Sequence, residues 1–223
     1  MIYVLDEDAG DETLVLKGEL HKYLIKVRRH QEGDTIAFRS NKDIKILHKY
    51  TLRSLEPKKA ILSLASSQLL EVKAKKELHV GWCKIDAKSI EKVLPSLSEI
   101  GVSKITFIEC DRSQRNVKLD FKRFERILEA SMQQCGATHK IELEEVKSLQ
   151  SFISQNSDVK VFDFTDKTLD DMSDVSCVLI GCEGGFSSSE KKFLKSKEVF
   201  RLDTPMVLRS ESAVMAVASK VLL

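Results

Sequence analysis

The sequence predicts an α/β protein in two parts, a small amino-terminal β-barrel followed by a domain with a mostly parallel sheet covered by helices. Three observations carry that expectation. Over roughly the first 65 residues, short apolar or alternating runs recur at about ten-residue spacing between polar turns. Beyond about residue 76, strand and helix patterns alternate, which is the grammar of parallel βαβ units. Late in the chain the apolar run Val178-Leu179-Ile180 empties into Gly181, Gly184 and Gly185 just before a helix.

The barrel strands are expected in "MIYVL", "TLVLKG", "TIAFRS", "IKILHKYTL" and "AILSLASS". One stretch departs from alternation: in "GELHKYLIKVRRHQEGD", Leu20, Tyr23, Leu24 and Val27 recur at helical spacing. Residues 66–76 read as a connector. The strand "ELHVGWC" then leads to a helix with Ile90, Val93, Leu94, Leu97 and Ile100 on one face. Pro95 lies inside it and predicts a kink, because proline removes one backbone hydrogen bond. There follow the strand "KITFIE", a helix from about Phe121 to Gln134, and the strands "VKVFDF" and "VSCVLIG". A helix from Ser187, the strand "VFRLD" and a closing helix from Ser210 complete the order. In that last helix Ala213, Val214, Val217, Ala218, Val221 and Leu222 share an apolar face.

Composition bounds the function loosely. The 223 residues are 42% hydrophobic and 31% charged, ordinary for a globular chain of one large or two modest domains. The net charge of +2 is the difference of 36 basic and 34 acidic residues. Bulk electrostatics therefore neither demand nor exclude a nucleic acid, and only local clusters bear on it. No leader pattern appears and no apolar run nears the ~18 residues of a membrane span, so a cytoplasmic location is expected. Cys83, Cys110, Cys135, Cys177 and Cys182 are odd in number and scattered, without C-x-x-C or Cys/His ligand spacing. Reduced, mostly buried thiols are expected, with neither a disulfide framework nor a metal site.

Three segments carry candidate chemistry. The glycine loop matches neither a P-loop nor G-x-G-x-x-G, yet it lies at the carboxyl end of a strand, where open α/β sheets bind ligands. Ser187 and Glu190 fit a capping box at its exit, and a plain strand-to-helix turn weighs equally with a binding loop. Arg209, Ser210 and Glu211 cluster where the last helix starts; an ion pair with a carboxylate suited to a helix N-terminus is enough to explain them in isolation. His21, Lys22, Lys26, Arg28, Arg29 and His30 form a basic run, and Arg112 and Arg115 form a second cluster. Such edges suit phosphates, although a solvated helix face is the commoner reason for them. At 6% aromatic residues, no base-stacking platform stands out.

Taken in order, five segments resemble the RsmE-type ribosomal RNA methyltransferases of the SPOUT superfamily. These are "ELHKYLIKVRRHQEGDTIAF", "SEIGVSKITFIECDRS", "MQQCGA", "IGCEGGFSSSE" and "VLRSESAVMAV", and the last two are the specific ones. The resemblance runs over nearly the whole chain. It implies a PUA-like, RNA-binding β-barrel at residues 1–67 and a SPOUT trefoil-knot α/β domain at residues 74–223. It further implies a homodimer and S-adenosyl-L-methionine as cofactor, with no metal and no membrane. The implied reaction is methylation of N3 of a specific uridine in 16S ribosomal RNA of the small subunit. Phe162, Phe164, Gly181, Glu183, Gly184, Leu202, Val207, Leu208 and Ser210 would bind the cofactor. Arg209 and Glu211 would be catalytic, with Glu183 sharing the second role; Lys26, Arg28, Arg29, Arg112 and Arg115 would contact RNA. The chain departs from the family at Cys182, where proline is usual, at Ala137 and Ser96, where arginine and lysine are common, and in "LDTP", which lacks a glycine. Two other classes remain, a non-catalytic RNA-binding adaptor and an α/β enzyme that holds a nucleotide phosphate on the glycine loop; cofactor binding separates them.

Overall fold

Alternation in the first third of the chain becomes a sheet with one buried face. In β2 (Thr13–Lys17), Leu14 and Leu16 are buried between exposed neighbours, the period of two that sends successive side chains to opposite faces. β1 (Val4–Leu5), β3 (Thr35–Ser40), β4 (Asp43–Leu55) and β5 (Lys59–Leu69) complete the sheet in the order β1-β3-β4-β5-β2. Phe38, Tyr50, Leu52 and Leu62 fill its inner face together with Leu24. Of the small barrel expected from strand spacing, the structure shows a curled half-barrel sheet with β1 and β2 as its edges. β1 pairs with β3 through Val4 opposite Phe38 and Leu5 opposite Arg39. The expected helix over Leu20–Val27 is a single α turn, α1 (Gly18–His21), that widens into a π-helical segment Lys22–Val27. β5 also continues to Leu69, into the stretch expected as a connector.

The computed structural model describes residues 2–114, 117–168 and 174–223. They form two units, Met1–Val72 with Gln133–His139, and Lys73–Met132 with Lys140–Leu223. Within the first, the Ile2 N–H donates to Gln133 O at 2.8 Å and the Tyr3 hydroxyl to Ala137 O at 2.7 Å.

The second unit holds β6 (His79–Cys83), α2 (Ala87–Ile100), β7 (Lys104–Ile108), α3 (Phe121–Cys135) as far as Met132, β8 (Glu142–Val146) and α4 (Leu149–Gln155). It continues with β9 (Lys160–Phe162), β10 (Cys177–Ile180), α5 (Ser188–Leu194), β11 (Val199–Phe200) and α6 (Ser210–Leu222). Its sheet has the order β11-β9-β10-β6-β7-β8 with every neighbour parallel. β10 is buried along its whole length, which is why it reads as an unbroken apolar run. α2 is capped by Asp86, whose carboxylate accepts the Ser89 N–H at 2.9 Å, and it continues through Pro95. The Pro95 carbonyl accepts the Ser131 hydroxyl of α3 at 3.0 Å.

Sequence patterning does not reveal β8 or α4. "ELEEV" carries carboxylates because β8 is an edge strand, and Lys104 on β7 bridges Glu142 and Glu144, each at 2.9 Å. The expectation of five reduced thiols is corrected at one pair: Cys83 and Cys110 form a disulfide. They are 27 residues apart in sequence, and the parallel pairing of β6 with β7 brings their Cα atoms to 5.9 Å. Among the described residues, no helix is long and apolar enough to cross a membrane.

Phe152 of α4 packs on β6, edge-on to the His79 ring at 5.4 Å between centroids and against Gly81. A Cβ on Gly81 would stand 2.3 Å from the Phe152 ring, so only glycine lets the helix approach this closely. Gly81→Ala is expected to cost about 1–3 kcal/mol as overpacking, read as a lower urea midpoint at unchanged m-value.

Candidate active site

Three strand ends and one helix start build a large cavity in the second unit. β9, β10 and β11 end side by side at Phe162, Ile180 and Phe200, and the chain leaves each through a polar segment. Those exits, with the first two turns of α6, enclose about 780 Å³. This is the carboxyl edge of a parallel sheet, where open α/β folds place ligands.

The first wall is the glycine turn. Gly185 N–H donates to Cys182 O at 2.9 Å and closes the turn, with Gly185 at φ +64°, the left-handed region open to glycine. Phe186 is buried just beyond and anchors the exit. Ser187 then caps α5: its hydroxyl accepts the Glu190 N–H at 3.1 Å, while its own N–H donates to Glu190 Oε2 at 2.8 Å. The capping box expected from the sequence is present in both directions. Burial raises the pKa of the Cys182 thiol, so this wall is uncharged at Cys182.

The second wall runs from Arg201 to Arg209. Met206 and Val207 are exposed, and the segment turns on a Thr204 N–H to Leu202 O bond of 2.9 Å. α6 follows with Val214, Val217, Ala218 and Val221 buried, the apolar face expected from its spacing. Ser210 joins the two walls. Its hydroxyl donates to Gly181 O at 2.6 Å and accepts from Trp82 Nε1 at 2.8 Å, and its side chain is buried. The third wall is Asp163–Asp166, after β9. Asp163 pairs with Lys191 of α5 at 3.0 Å.

Phe162, Phe164, Gly181, Glu183, Leu202, Val207, Leu208 and Ser210 line this cavity together. Gly184 does not; it faces Arg112, whose Nη1 donates to Gly184 O at 2.7 Å. Arg209 and Glu211 flank the lining residue Ser210 on either side. Arg209 is exposed, and one Glu211 carboxylate oxygen, Oε2, is buried without a hydrogen-bond partner among the described residues. Sequence reasoning missed Thr165 and Asp166, for which the position just past a strand end was the available signal, and Arg201 ahead of Leu202. Among the described residues, no group of three or more His, Cys, Asp or Glu side chains is arranged to hold a metal.

The basic residues divide between the units. Lys26, Arg28 and Arg29 stand exposed on the first. There Arg28 shares a cleft of about 460 Å³ with His30, Lys49 and Tyr3. The π-helical segment feeds this edge through an Arg28 N–H to Tyr23 O bond of 2.9 Å, and Arg29 follows at φ +62°. Arg112 belongs to the second unit, and Arg115 lies outside the described residues.

This sheet, cavity and pair of motif loops define an RNA-methyltransferase type of domain: residues 72–222 match the family model described as RNA methyltransferase domain. The chain is 37% identical over 223 residues to ribosomal RNA small subunit methyltransferase E of Helicobacter pylori, covering 98% of both proteins. It is 25% identical to ribosomal RNA small subunit methyltransferase E 2 of Borreliella burgdorferi, over 95% of this chain and 92% of that one. The crystal structure of a ribosomal RNA small subunit methyltransferase E from Neisseria gonorrhoeae, bound to S-adenosyl methionine, shares the fold. Its TM-score is 0.77 at 16% identity, over 98% of this chain and 95% of that one. The chain belongs to the ribosomal RNA small subunit methyltransferase E family.

Ser210→Ala would leave the buried Trp82 N–H and the Gly181 carbonyl without their shared partner. The expected cost is about 1–3 kcal/mol of stability, measured by urea unfolding. Cofactor affinity should fall in the same variant, because the two walls lose their connection.

Proposed function

We propose that the protein transfers a methyl group from S-adenosylmethionine to N3 of a specific uridine in 16S ribosomal RNA of the small subunit. The observation that carries this reading is the pairing of the two specific motif segments as facing walls of one cavity, in a chain of this family. The cavity chemistry fits the cofactor. Asp163, Asp166 and Glu183 line it, and Arg201 is the single basic residue among the described lining. That balance suits a ligand with a sulfonium and an ammonium and opposes a phosphate. Phe162, Leu202, Val207 and Leu208 add apolar surface for a planar base. When bound, S-adenosylmethionine supplies an electrophilic methyl group.

The remaining work falls to the protein. Uridine N3 carries a proton, and its electrons are delocalised into the flanking carbonyls, so the base must be deprotonated and its anion stabilised. Arg209, exposed at the start of α6, stabilises negative charge on a uracil carbonyl oxygen, aided by the positive end of that helix. Glu211, with a buried carboxylate oxygen unpartnered among the described residues, orients the arginine or accepts the N3 proton; Glu183, exposed in the cavity lining, is the second candidate. Holding N3 beside the methyl group supplies the entropic part of the acceleration.

The same reading assigns residues 1–67 as a PUA-like module that grips RNA through Lys26, Arg28 and Arg29, and residues 74–223 as a SPOUT domain threaded as a trefoil knot. Exposed Phe164, Met206, Val207 and Leu223 suit burial against a second copy in a homodimer. The location is the cytoplasm, where the subunit substrate resides.

Incubation with cofactor and small ribosomal subunits, followed by mass spectrometry of the nucleosides, should yield N3-methyluridine at one site. Absence of calorimetric binding at millimolar cofactor would overturn the reading. Arg209→Ala should lower the single-turnover rate about 10²–10³-fold, as loss of one oxyanion donor does, and leave cofactor affinity within about twofold.

A further inference from the structure

The Gly181–Gly185 turn is held on the side away from the cavity by groups that methyl transfer, as described, does not use. Three of its five residues are glycine, so chain entropy works against one fixed shape. Gly181, Cys182, Glu183 and Gly185 face the cavity. Gly184 faces the segment that follows β7, where a Cβ on it would stand 3.1 Å from Arg112 Cβ.

That segment is tied to the turn at several points. Glu190 is 5% exposed, and its two oxygens accept backbone N–H groups from different parts of the chain. Oε1 takes Asp111 N–H and Oε2 takes Ser187 N–H, both at 2.8 Å. Asp111 Oδ2 accepts the Ser189 hydroxyl at 2.9 Å and also the Ser187 hydroxyl. These bonds hold the Asp111 carboxyl below the usual carboxylate range, Ser187 contributing most. Arg112 completes the set through its 2.7 Å bond to Gly184 O. Hydrogen bonds with an ionised partner are stronger than neutral ones, and these bracket the turn at its middle and its exit.

We propose that Glu190, Asp111 and Arg112 are positioning residues of the cofactor site, a clamp that fixes the glycine turn from behind, and that Arg112 serves the cofactor rather than the RNA. The inference rests on the methyltransferase reading above. A turn with its carbonyls and N–H groups already aimed presents them to the cofactor without further ordering cost. Loosening the clamp therefore acts on cofactor affinity and leaves RNA affinity unchanged.

The test compares Glu190→Gln, Asp111→Asn, Arg112→Ala and Arg112→Lys with the unaltered protein, by calorimetry with S-adenosylmethionine and by steady-state kinetics on small ribosomal subunits. Glutamine keeps the size of Glu190 but turns one acceptor into an amide donor against a backbone N–H. Glu190→Gln should raise the cofactor Kd and KM at least about tenfold, the worth of one charge-assisted bond. Arg112→Ala and Asp111→Asn should shift the same two constants in the same direction, with KM for the subunit within about twofold of the unaltered protein and partial recovery in Arg112→Lys. If Glu190→Gln fails to fold, the two exposed positions decide. Unchanged cofactor affinity in the folded variants overturns the clamp, as does an Arg112→Ala protein whose only defect is a higher KM for the subunit. An unaltered protein that binds no cofactor overturns the methyltransferase reading instead.

Discussion

The Ser210 hydroxyl, between the Gly181 carbonyl and the Trp82 indole N–H, makes one cavity out of two loops. Each wall, taken separately, is irregular backbone at the edge of a sheet, and much of Arg201–Arg209 is exposed. A short polar side chain at the first position of α6 reaches both the end of β6 and the exit of β10 and satisfies a donor and an acceptor that burial would otherwise leave unpaired. The apolar face of α6 supplies the force that keeps it there, since Val214, Val217 and Val221 are buried in the core that β10 and β6 share. Packing thus sets the helix, the helix sets the hydroxyl, and the hydroxyl sets the spacing of the walls.

What the sequence made legible depended on local or single-element physics. β10 was visible because a strand covered on both faces is apolar throughout. The Ser187 capping box was visible because its two partners are three residues apart. α6 was visible because its buried face repeats at 3.6 residues. Features set by distant neighbours were not. β8 is polar because an edge strand needs one buried face at most, and Lys104 on the adjacent strand balances its glutamates. The Cys83–Cys110 pair exists because two parallel strands end together. The first sheet runs β1-β3-β4-β5-β2 with β1 and β2 as its edges, an order that no propensity argument over "MIYVL" could reveal. Arg112, expected as an RNA contact, donates to the Gly184 carbonyl 72 residues further along the chain, a partner that its place in the sequence does not show.

Charge tells the same story at a larger scale. The near-balanced total hides local segregation within each unit. In the first, Arg28, His30 and Lys49 share a cleft whose described lining has no carboxylate. In the second, Asp163, Asp166 and Glu183 dominate the cavity. Basic and acidic side chains are thus concentrated in different places, and steering of a charged ligand depends on where charges sit rather than on their sum.

Three glutamates near the glycine turn separate by the partners they hold. Glu190 is buried with both oxygens accepting backbone N–H groups. With both oxygens committed to backbone N–H groups, it is suited to holding the turn in place. Glu211 lies at the start of α6 with one buried oxygen unpartnered among the described residues, a site that a substrate donor or a neighbouring guanidinium can complete. Glu183 lines the cavity and is exposed at its mouth, where a proton taken from the base passes readily to water. A general base needs a lone pair that the fold has not already committed. On that criterion the proposed proton transfer would fall to Glu211 or Glu183, and Glu190 to the proposed scaffold of the turn.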